Sequence, residues 1–257
     1  MMQTAATPFD DGKFFDLLFG QGFDYGMDYY LGLAKRTGGP ILDVACGTGR
    51  ITLPLLKLGL EVHGLDLFPD MLARLREKAA ALGFNPPLFQ SDMSSFSTKH
   101  QYALIIIPFN SFVHNLTGAD QISSLRSCRE HLKPGGLLAF DTFFPGAALV
   151  TMPDNKRDLE GEVRDPETGL PIRMYDTRTF NRVEQLMHSR IENEFLDQGG
   201  NVTKVVKSET TIRWIYKSEM ELLLRLAGFE RWEIFGDFEG HPLTKDTEAM
   251  IVQAWNS

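Results

Sequence analysis

Two aspartates and a glycine turn carry the most chemistry in this 257-residue chain. Asp43 lies near the end of a short apolar run, Gly47-Thr48-Gly49 follows it, and Asp66 closes the next apolar run, 19 residues after Gly47. Glycines let a ligand approach the main chain where a Cβ would stand in the way. In an open α/β sheet such a turn lies beyond the carboxyl ends of the strands, where ligands bind. A carboxylate at the end of the second strand can accept hydrogen bonds from ribose hydroxyls, and Asp43 suits a ligand with an amino group better than one with a pyrophosphate. Thr52 argues against a nicotinamide dinucleotide, because it occupies the sixth position of Gly47-Thr48-Gly49-Arg50-Ile51-Thr52, where that fingerprint needs a glycine for close helix–strand packing. Nothing near Cys46 would lower its thiol pKa, so its side chain reads as packing rather than a nucleophile. Cys128 falls on a helical stripe and reads as core.

These residues need a scaffold that sets strand ends side by side. Ile41–Ala45 reads as a strand, Arg50–Leu58 as a helix closed by Gly59, and Leu60–Leu65 as a second strand. Pro69 opens a helix whose stripe is Met71, Leu72, Leu75, Ala79 and Leu82. Leu88–Gln90 is a weaker strand, and Tyr102–Ile107 has the continuous apolar character of a strand buried on both faces. Thr117 is a helix cap, with Ile122, Leu125 and Leu132 on the stripe. Leu132-Lys133-Pro134-Gly135-Gly136 stops that helix before a fifth strand, Leu137–Phe140. The class is α/β, a doubly wound and mostly parallel sheet. A further helix is predicted with a capping box of Ser218 and Glu221. Phe229–Phe235 and Ala249–Trp255, an antiparallel edge pair, bring the sheet to seven strands.

After Pro145 the pattern changes. Residues 146–170 read as a loop or lid. Ile172–Leu196 and Val202–Ile215 are half-polar runs separated by Gly199-Gly200, and they predict an insertion of three antiparallel strands after the fifth strand. The expected organisation is therefore 1–145, N-terminal helices and binding core; 146–216, lid and antiparallel insertion on the substrate side; and 217–257, last helix and terminal strand pair.

The net charge is −8, with −2 on residues 1–150 and −6 on the remainder, which argues against a partner gripped by its phosphates. Two cysteines without a CxxC exclude a disulfide framework and a cysteine-based zinc site, and no metal-ligand cluster is legible. The longest apolar run, around Ala103 to Ile107, is too short to span a bilayer. Met1 to Pro8 has neither the basic nor the apolar part of a signal peptide. The expectation is cytoplasmic, with no membrane partner and a homodimer admitted.

Four stretches resemble the class I S-adenosylmethionine-dependent methyltransferase family in order and spacing: Asp43–Arg50; Gly64-Leu65-Asp66 with Met71; Ser91-Asp92-Met93; and His131-Leu132-Lys133-Pro134-Gly135-Gly136. The resemblance covers about residues 20–145 and implies a Rossmann-like methyltransferase fold with S-adenosyl-L-methionine as cofactor. It also implies roles. The main chain of Ala45, Cys46, Gly47 and Gly49 would cradle the methionine part, and Asp43 would orient its ammonium. Asp66 would take the ribose hydroxyls, Leu67 and Met71 would pack on adenine, and Asp92 would accept from the adenine amino group with Met93 beside it. Phe109 would line the pocket near the sulfonium. Phe68 departs from the small polar residue common there, which weakens the cap of the following helix.

Family members meet the acceptor just past the fourth strand, so Asn110 is expected to orient it and His114 to take its proton. Pro108-Phe109-Asn110 lacks the Asn/Asp-Pro-Pro-aromatic motif of DNA amino-methyltransferases. The insertion resembles the antiparallel extension of small-molecule N-methyltransferases, including those acting on amino sugars. His63 and His131 read as structural, and His241 as a loop residue that could face the acceptor. Tyr25, Tyr29 and Tyr30 read as core packing, and Arg173, Arg178, Arg190 and Arg213 chiefly as surface ion pairs. The implied reaction is methyl transfer to N or O of a small polar molecule. The alternatives are a nucleic-acid methyltransferase, a non-catalytic S-adenosylmethionine-binding module and a nicotinamide-dependent oxidoreductase.

Overall fold

Strands that are apolar at every position need cover on both faces, and this chain supplies it with helices between the strands. The computed structural model describes residues 6–20, 24–246 and 248–256, so the reading of Met1 to Pro8 lies largely outside it. Two helices come first, α1 (Gly12–Phe19) and α2 (Met27–Thr37). The alternating part follows: β1 (Ile41–Val44), α3 (Thr52–Lys57), β2 (Val62–Asp66), α4 (Pro69–Ala81), β3 (Leu88–Gln90) and β4 (Tyr102–Ile107). A 3-10 turn at Ser111–His114 leads to α5 (Gly118–His131) and β5 (Leu132–Phe143). Next come α6 (Ala147–Val150), β6 (Arg157–Arg164), β7 (Pro171–Asn181), β8 (Leu186–Leu196) and β9 (Val202–Arg213), then α7 (Lys217–Leu226), β10 (Arg231–Phe235) and β11 (Ala249–Trp255).

The main sheet has seven strands in the order β10-β11-β5-β4-β1-β2-β3. β1 to β5 run parallel, and β11 lies antiparallel to both β5 and β10. Alternate residues of the central strands feed opposite cores. Leu42, Val44, Ile105, Ile107, Leu138 and Phe140 pack with residues of α5 and α7. Ile41, Leu104, Ile106, Leu137 and Ala139 pack with residues of α2, α3 and α4. The parallel pairing fixes where chemistry can occur, because β1, β2 and β4 all end on one edge of the sheet. Among the described residues no helix is long and apolar enough to cross a membrane.

The second sheet has four antiparallel strands, β6-β7-β8-β9, not the three expected. The extra strand, β6, lies inside the segment read as a loop or lid. Its sequence, Arg-Asp-Leu-Glu-Gly-Glu-Val-Arg, has the charge of a loop, but at an edge such charges suit a strand. They pair with neighbours: Arg157 with Glu192 and Glu194, Arg173 with Glu162, and Arg178 with Glu160.

Two other expectations change. β5 begins at Leu132 rather than Leu137, because the Gly135 N–H donates to the Asn256 carbonyl and the Asn256 N–H to the Gly136 carbonyl, tying the expected helix stop to the end of the chain. No capping box forms at α7: its cap is Tyr216 without a side-chain bond, and Glu221 pairs with Lys217 one turn back.

Candidate active site

The carboxyl ends of β1, β2 and β4 open into one cavity of about 1290 Å³. The backbone between β1 and α3 shapes one wall. Ala45, Gly47 and Gly49 all have positive φ, at 56°, 54° and 92°. A Cβ on Gly49 would lie 2.2 Å from Leu75 Cδ1, so only glycine lets this turn pack against α4. A Cβ on Gly47 would meet nothing within 4 Å. The Cys46 N–H donates to the Leu65 carbonyl at 3.0 Å and the Gly47 N–H to Asp66 Oδ2 at 2.8 Å, so the turn is bound to β2.

Asp66 also accepts the Phe68 N–H on Oδ1 at 2.9 Å, standing in for the missing small polar cap at that turn. Each of its oxygens keeps a further lone pair for a hydroxyl. Burial raises the Asp66 pKa, against the pull of these N–H bonds. Asp43 is fully enclosed at the end of β1. Its Oδ2 accepts from Thr52 Oγ1 at 2.6 Å, and its Oδ1 has no hydrogen-bond partner among the described residues. Burial pushes its pKa up to about 7. Thr52, which stands where a dinucleotide site would have glycine, thus orients a carboxylate, a role sequence reading missed.

Leu67, Met71, Asp92 and Met93 line the next part of the cavity. Leu67 is half exposed, Met71 is buried, and Asp92 holds Ser94 through Oδ1, at 2.7 Å from both the N–H and the hydroxyl. Across from them α1 closes the cavity. Asp16 accepts from Thr48 Oγ1 at 2.6 Å, from Arg74 Nε at 2.7 Å and from Lys78 Nζ at 2.9 Å. Burial pushes the Asp16 carboxyl up, but these three bonds outweigh it and hold its pKa below the usual value. The fifth strand contributes Asp141, fully buried, which accepts the Tyr30 hydroxyl at 2.5 Å and the N–H groups of Phe109 and Asn110 at 2.8 Å each. Sequence reading missed it, although a charge in the middle of the apolar run Leu137–Phe143 is a signal that could have found it.

Phe109 and His114 line the far part of the cavity, whereas the Asn110 side chain lies against Tyr25 and is not among the lining residues. The His114 ring meets Phe9 edge-on at 5.3 Å, and one ring nitrogen faces the main-chain carbonyl of Thr211. Its open surface faces the cavity while protein crowds its other sides, and this desolvation lowers its pKa. The second sheet brings His188, Glu209 and Thr211 to the same wall. His188 Nδ1 lies 3.0 Å from Thr211 Oγ1, and His188 Nε2 lies 3.6 Å from Glu209 Oε2. Sequence reading missed all three, since each is an ordinary polar residue on a half-polar strand.

The remaining expectations settle elsewhere. The Cys46 side chain lies below the turn, where a Cβ on Gly64 would meet its sulfur at 2.9 Å, and burial raises its thiol pKa. His63 bonds to Tyr102, and His131 to Thr98 and Ser127. His241 is exposed, bonded to Asp237 outside the cavity. With Glu239 these two form the one group of three metal-ligand types close enough to share an ion among the described residues, where the sequence had shown no cluster. Arg213 is not on the surface: it joins the second sheet to the core through Glu219, Gln121 and Gln185.

The fit to S-adenosylmethionine is a matter of donors and acceptors. An unpartnered buried carboxylate oxygen on Asp43 suits an ammonium, the open Gly47 position suits close approach, and Asp66 suits a ribose. The comparisons agree with that chemistry. A family described as "Methyltransferase domain" matches residues 41–136. The chain is 35% identical over 222 residues to YqeM of Bacillus subtilis (strain 168), covering 85% of each chain. It is 26% identical to the cypemycin N-terminal methyltransferase of a Streptomyces species, covering 84% of this chain and 82% of that one. The structure of the CcbJ methyltransferase from Streptomyces caelestis shares the fold, with a TM-score of 0.76, 23% identity and 97% of both chains covered.

Proposed function

Because this chain belongs to the class I S-adenosylmethionine-dependent methyltransferase family, we propose that it moves a methyl group from that cofactor to a nitrogen of a small polar amine. Glu209 carries the choice of acceptor. Among the described residues lining the cavity, it is the one carboxylate that the second sheet contributes. A carboxylate attracts an ammonium and holds it in register, whereas a neutral hydroxyl gains far less from it. The likeness to an enzyme named as an N-terminal methyltransferase supports the same choice. In this reading residues 146–216 are the acceptor side, and 1–145 with 217–257 hold the cofactor.

When bound, the cofactor supplies a methyl group activated by positively charged sulfur. The residues then have four tasks. Asp43, Asp66 and Asp92 hold the ammonium, ribose and adenine amino group, and Leu67, Met71 and Met93 cover the adenine. The turn from Ala45 to Gly49 lies against the methionine part. Phe109 borders the sulfonium and excludes water, with Asn110 behind it setting the turn from which the acceptor is oriented. An ammonium acceptor must lose a proton before its lone pair can attack. His114 is held neutral by its surroundings, with one nitrogen committed to the Thr211 carbonyl and the other left to take that proton.

The test pairs S-adenosylmethionine with amino-sugar nucleotides and short peptides with free N-termini, with hydroxyl analogues of each, and reads methylated products by mass spectrometry. Amine methylation is expected, with Glu209→Gln raising KM for the amine about tenfold and leaving S-adenosylhomocysteine affinity unchanged. Methylation of the hydroxyl analogues in preference to the amines would overturn the choice of nitrogen.

A further inference from the structure

Phe109 and Asn110 are adjacent non-glycine residues that both take the left-handed conformation, with φ of 63° and 55°. Successive N–H groups in a turn can face one point and make a small anion-binding concavity. Here the concavity is filled from within the protein by the Asp141 carboxylate, Oδ1 on the Phe109 N–H and Oδ2 on the Asn110 N–H. Asp141 lies one residue past Phe140, the β5 partner of Ile107 at the end of β4, so the carboxylate sits directly beneath the turn that leaves β4.

Two further groups surround that carboxylate. The Tyr30 hydroxyl donates to Oδ1, and Tyr30 is itself fully buried in the first turn of α2. Arg50, next to the glycine turn, adds an attractive charge, and its guanidinium lies 5.2 Å from the centre of the Phe109 ring while donating to the Tyr25 carbonyl at 2.6 Å. One carboxylate therefore links α2, β5, the start of α3 and the turn after β4. Asp141 is not among the residues that line the cavity, so its role is separate from binding the cofactor.

We infer that Asp141 is a positioning residue that clamps the strained Phe109–Asn110 turn through its two N–H groups and so holds the Phe109 ring against the transferable methyl group. This inference rests on the methyltransferase reading of the cavity. An amide at position 141 presents one acceptor and one donor to two N–H groups, so Asp141→Asn breaks half of the clamp with almost no change of volume. The contacts expected of the adenosine and amino-acid portions lie on other residues and remain.

The experiment uses the full chain with S-adenosylmethionine labelled with carbon-13 at its methyl group, and reads that methyl resonance by NMR alongside calorimetric titration with S-adenosylhomocysteine. For the unaltered protein, a bound methyl resonance shifted by the nearby aromatic ring is expected. In Asp141→Asn the resonance should move toward the free-cofactor position, with S-adenosylhomocysteine affinity within about threefold of the unaltered value. An unmoved resonance in a variant that still binds overturns the positioning role. Parallel loss of binding and of the methyl shift also overturns it, because it would mark a general support of the pocket. Absence of S-adenosylhomocysteine binding in the unaltered protein would instead sink the methyltransferase reading. If Asp141→Asn does not fold, Tyr30→Phe removes one donor and keeps the carboxylate; it should move the resonance in the same direction by a smaller amount, and no movement there overturns the clamp.

Discussion

Asp43 and Asp66 are both buried aspartates at strand ends, yet their surroundings prepare them differently. Asp66 is held by two main-chain N–H groups, so its position is set before any ligand arrives. Asp43 has one satisfied oxygen and one bare one, and burial pushes its pKa up to about 7. An ammonium ligand favours the ionised carboxylate, so binding should strengthen as pH rises through that value. S-adenosylhomocysteine affinity is expected to rise about tenfold between pH 6 and pH 8, the change in ionised fraction for such a group. Titration calorimetry across that range checks it, and the slope should vanish in Asp43→Asn. His114 has the opposite shift, lowered by desolvation, which keeps it an unprotonated acceptor at neutral pH. His114→Gln is expected to lower kcat by about 10²- to 10⁴-fold while S-adenosylhomocysteine affinity holds; rapid-quench measurement of the methyl-transfer step separates the two effects. The cavity-lining aspartates and glycines were legible because glycine turns after strands have a short spacing signature. Thr52, Asp141 and Glu209 were not, because each takes its role from a partner on another element, which only the fold brings alongside.

At the scale of elements, α1 owes its place to Asp16, not only to its apolar residues Phe14, Phe15, Leu17, Leu18 and Phe19. The helix is eight residues long, too short to persist alone in water. Bonds from Asp16 to Thr48, Arg74 and Lys78 fasten it over the glycine turn. Asp16→Ala should weaken S-adenosylhomocysteine binding by about 1 kcal/mol, roughly fivefold, with most of the loss in a faster dissociation rate seen by stopped-flow fluorescence. An unchanged dissociation rate would remove α1 from the path by which the ligand leaves. The central elements were readable because buried parallel strands are apolar without interruption, as in Tyr102–Ile107, whose bounds the structure reproduces. β6 was hidden for the complementary reason: an edge strand is stabilised by partners across the sheet, and its charges look the same as those of a loop until Arg157 is seen to reach across β7 to Glu192 and Glu194 of β8.

At the scale of the whole molecule, the cavity lies between two sheets of different kinds. The parallel sheet sets its position through topology alone, since strands joined by helices end on one edge. The antiparallel sheet supplies His188, Glu209 and Thr211 to the wall and is fastened to the core through the half-buried Arg213–Glu219 pair. The N-terminal segment runs between the two: the Glu209 N–H donates to the Ala6 carbonyl at 2.8 Å, and Phe9 packs on Phe68 at 5.2 Å and on His114 at 5.3 Å.

Phe9 therefore touches Phe68, beside the proposed adenine site, and His114, the proposed proton acceptor, so one ring contacts both sides. Thermodynamic linkage makes such a contact reciprocal: whatever the cofactor does for the acceptor's affinity, the acceptor does equally for the cofactor's. S-adenosylhomocysteine should bind more tightly in the presence of the amine than in its absence, and the amine more tightly in the presence of S-adenosylhomocysteine, by one common factor. Phe9→Ala should bring that factor close to one while leaving each ligand able to bind alone, a result that paired calorimetric titrations can read directly. The coupling between the two ligands is then a property of one phenylalanine that reacts with neither.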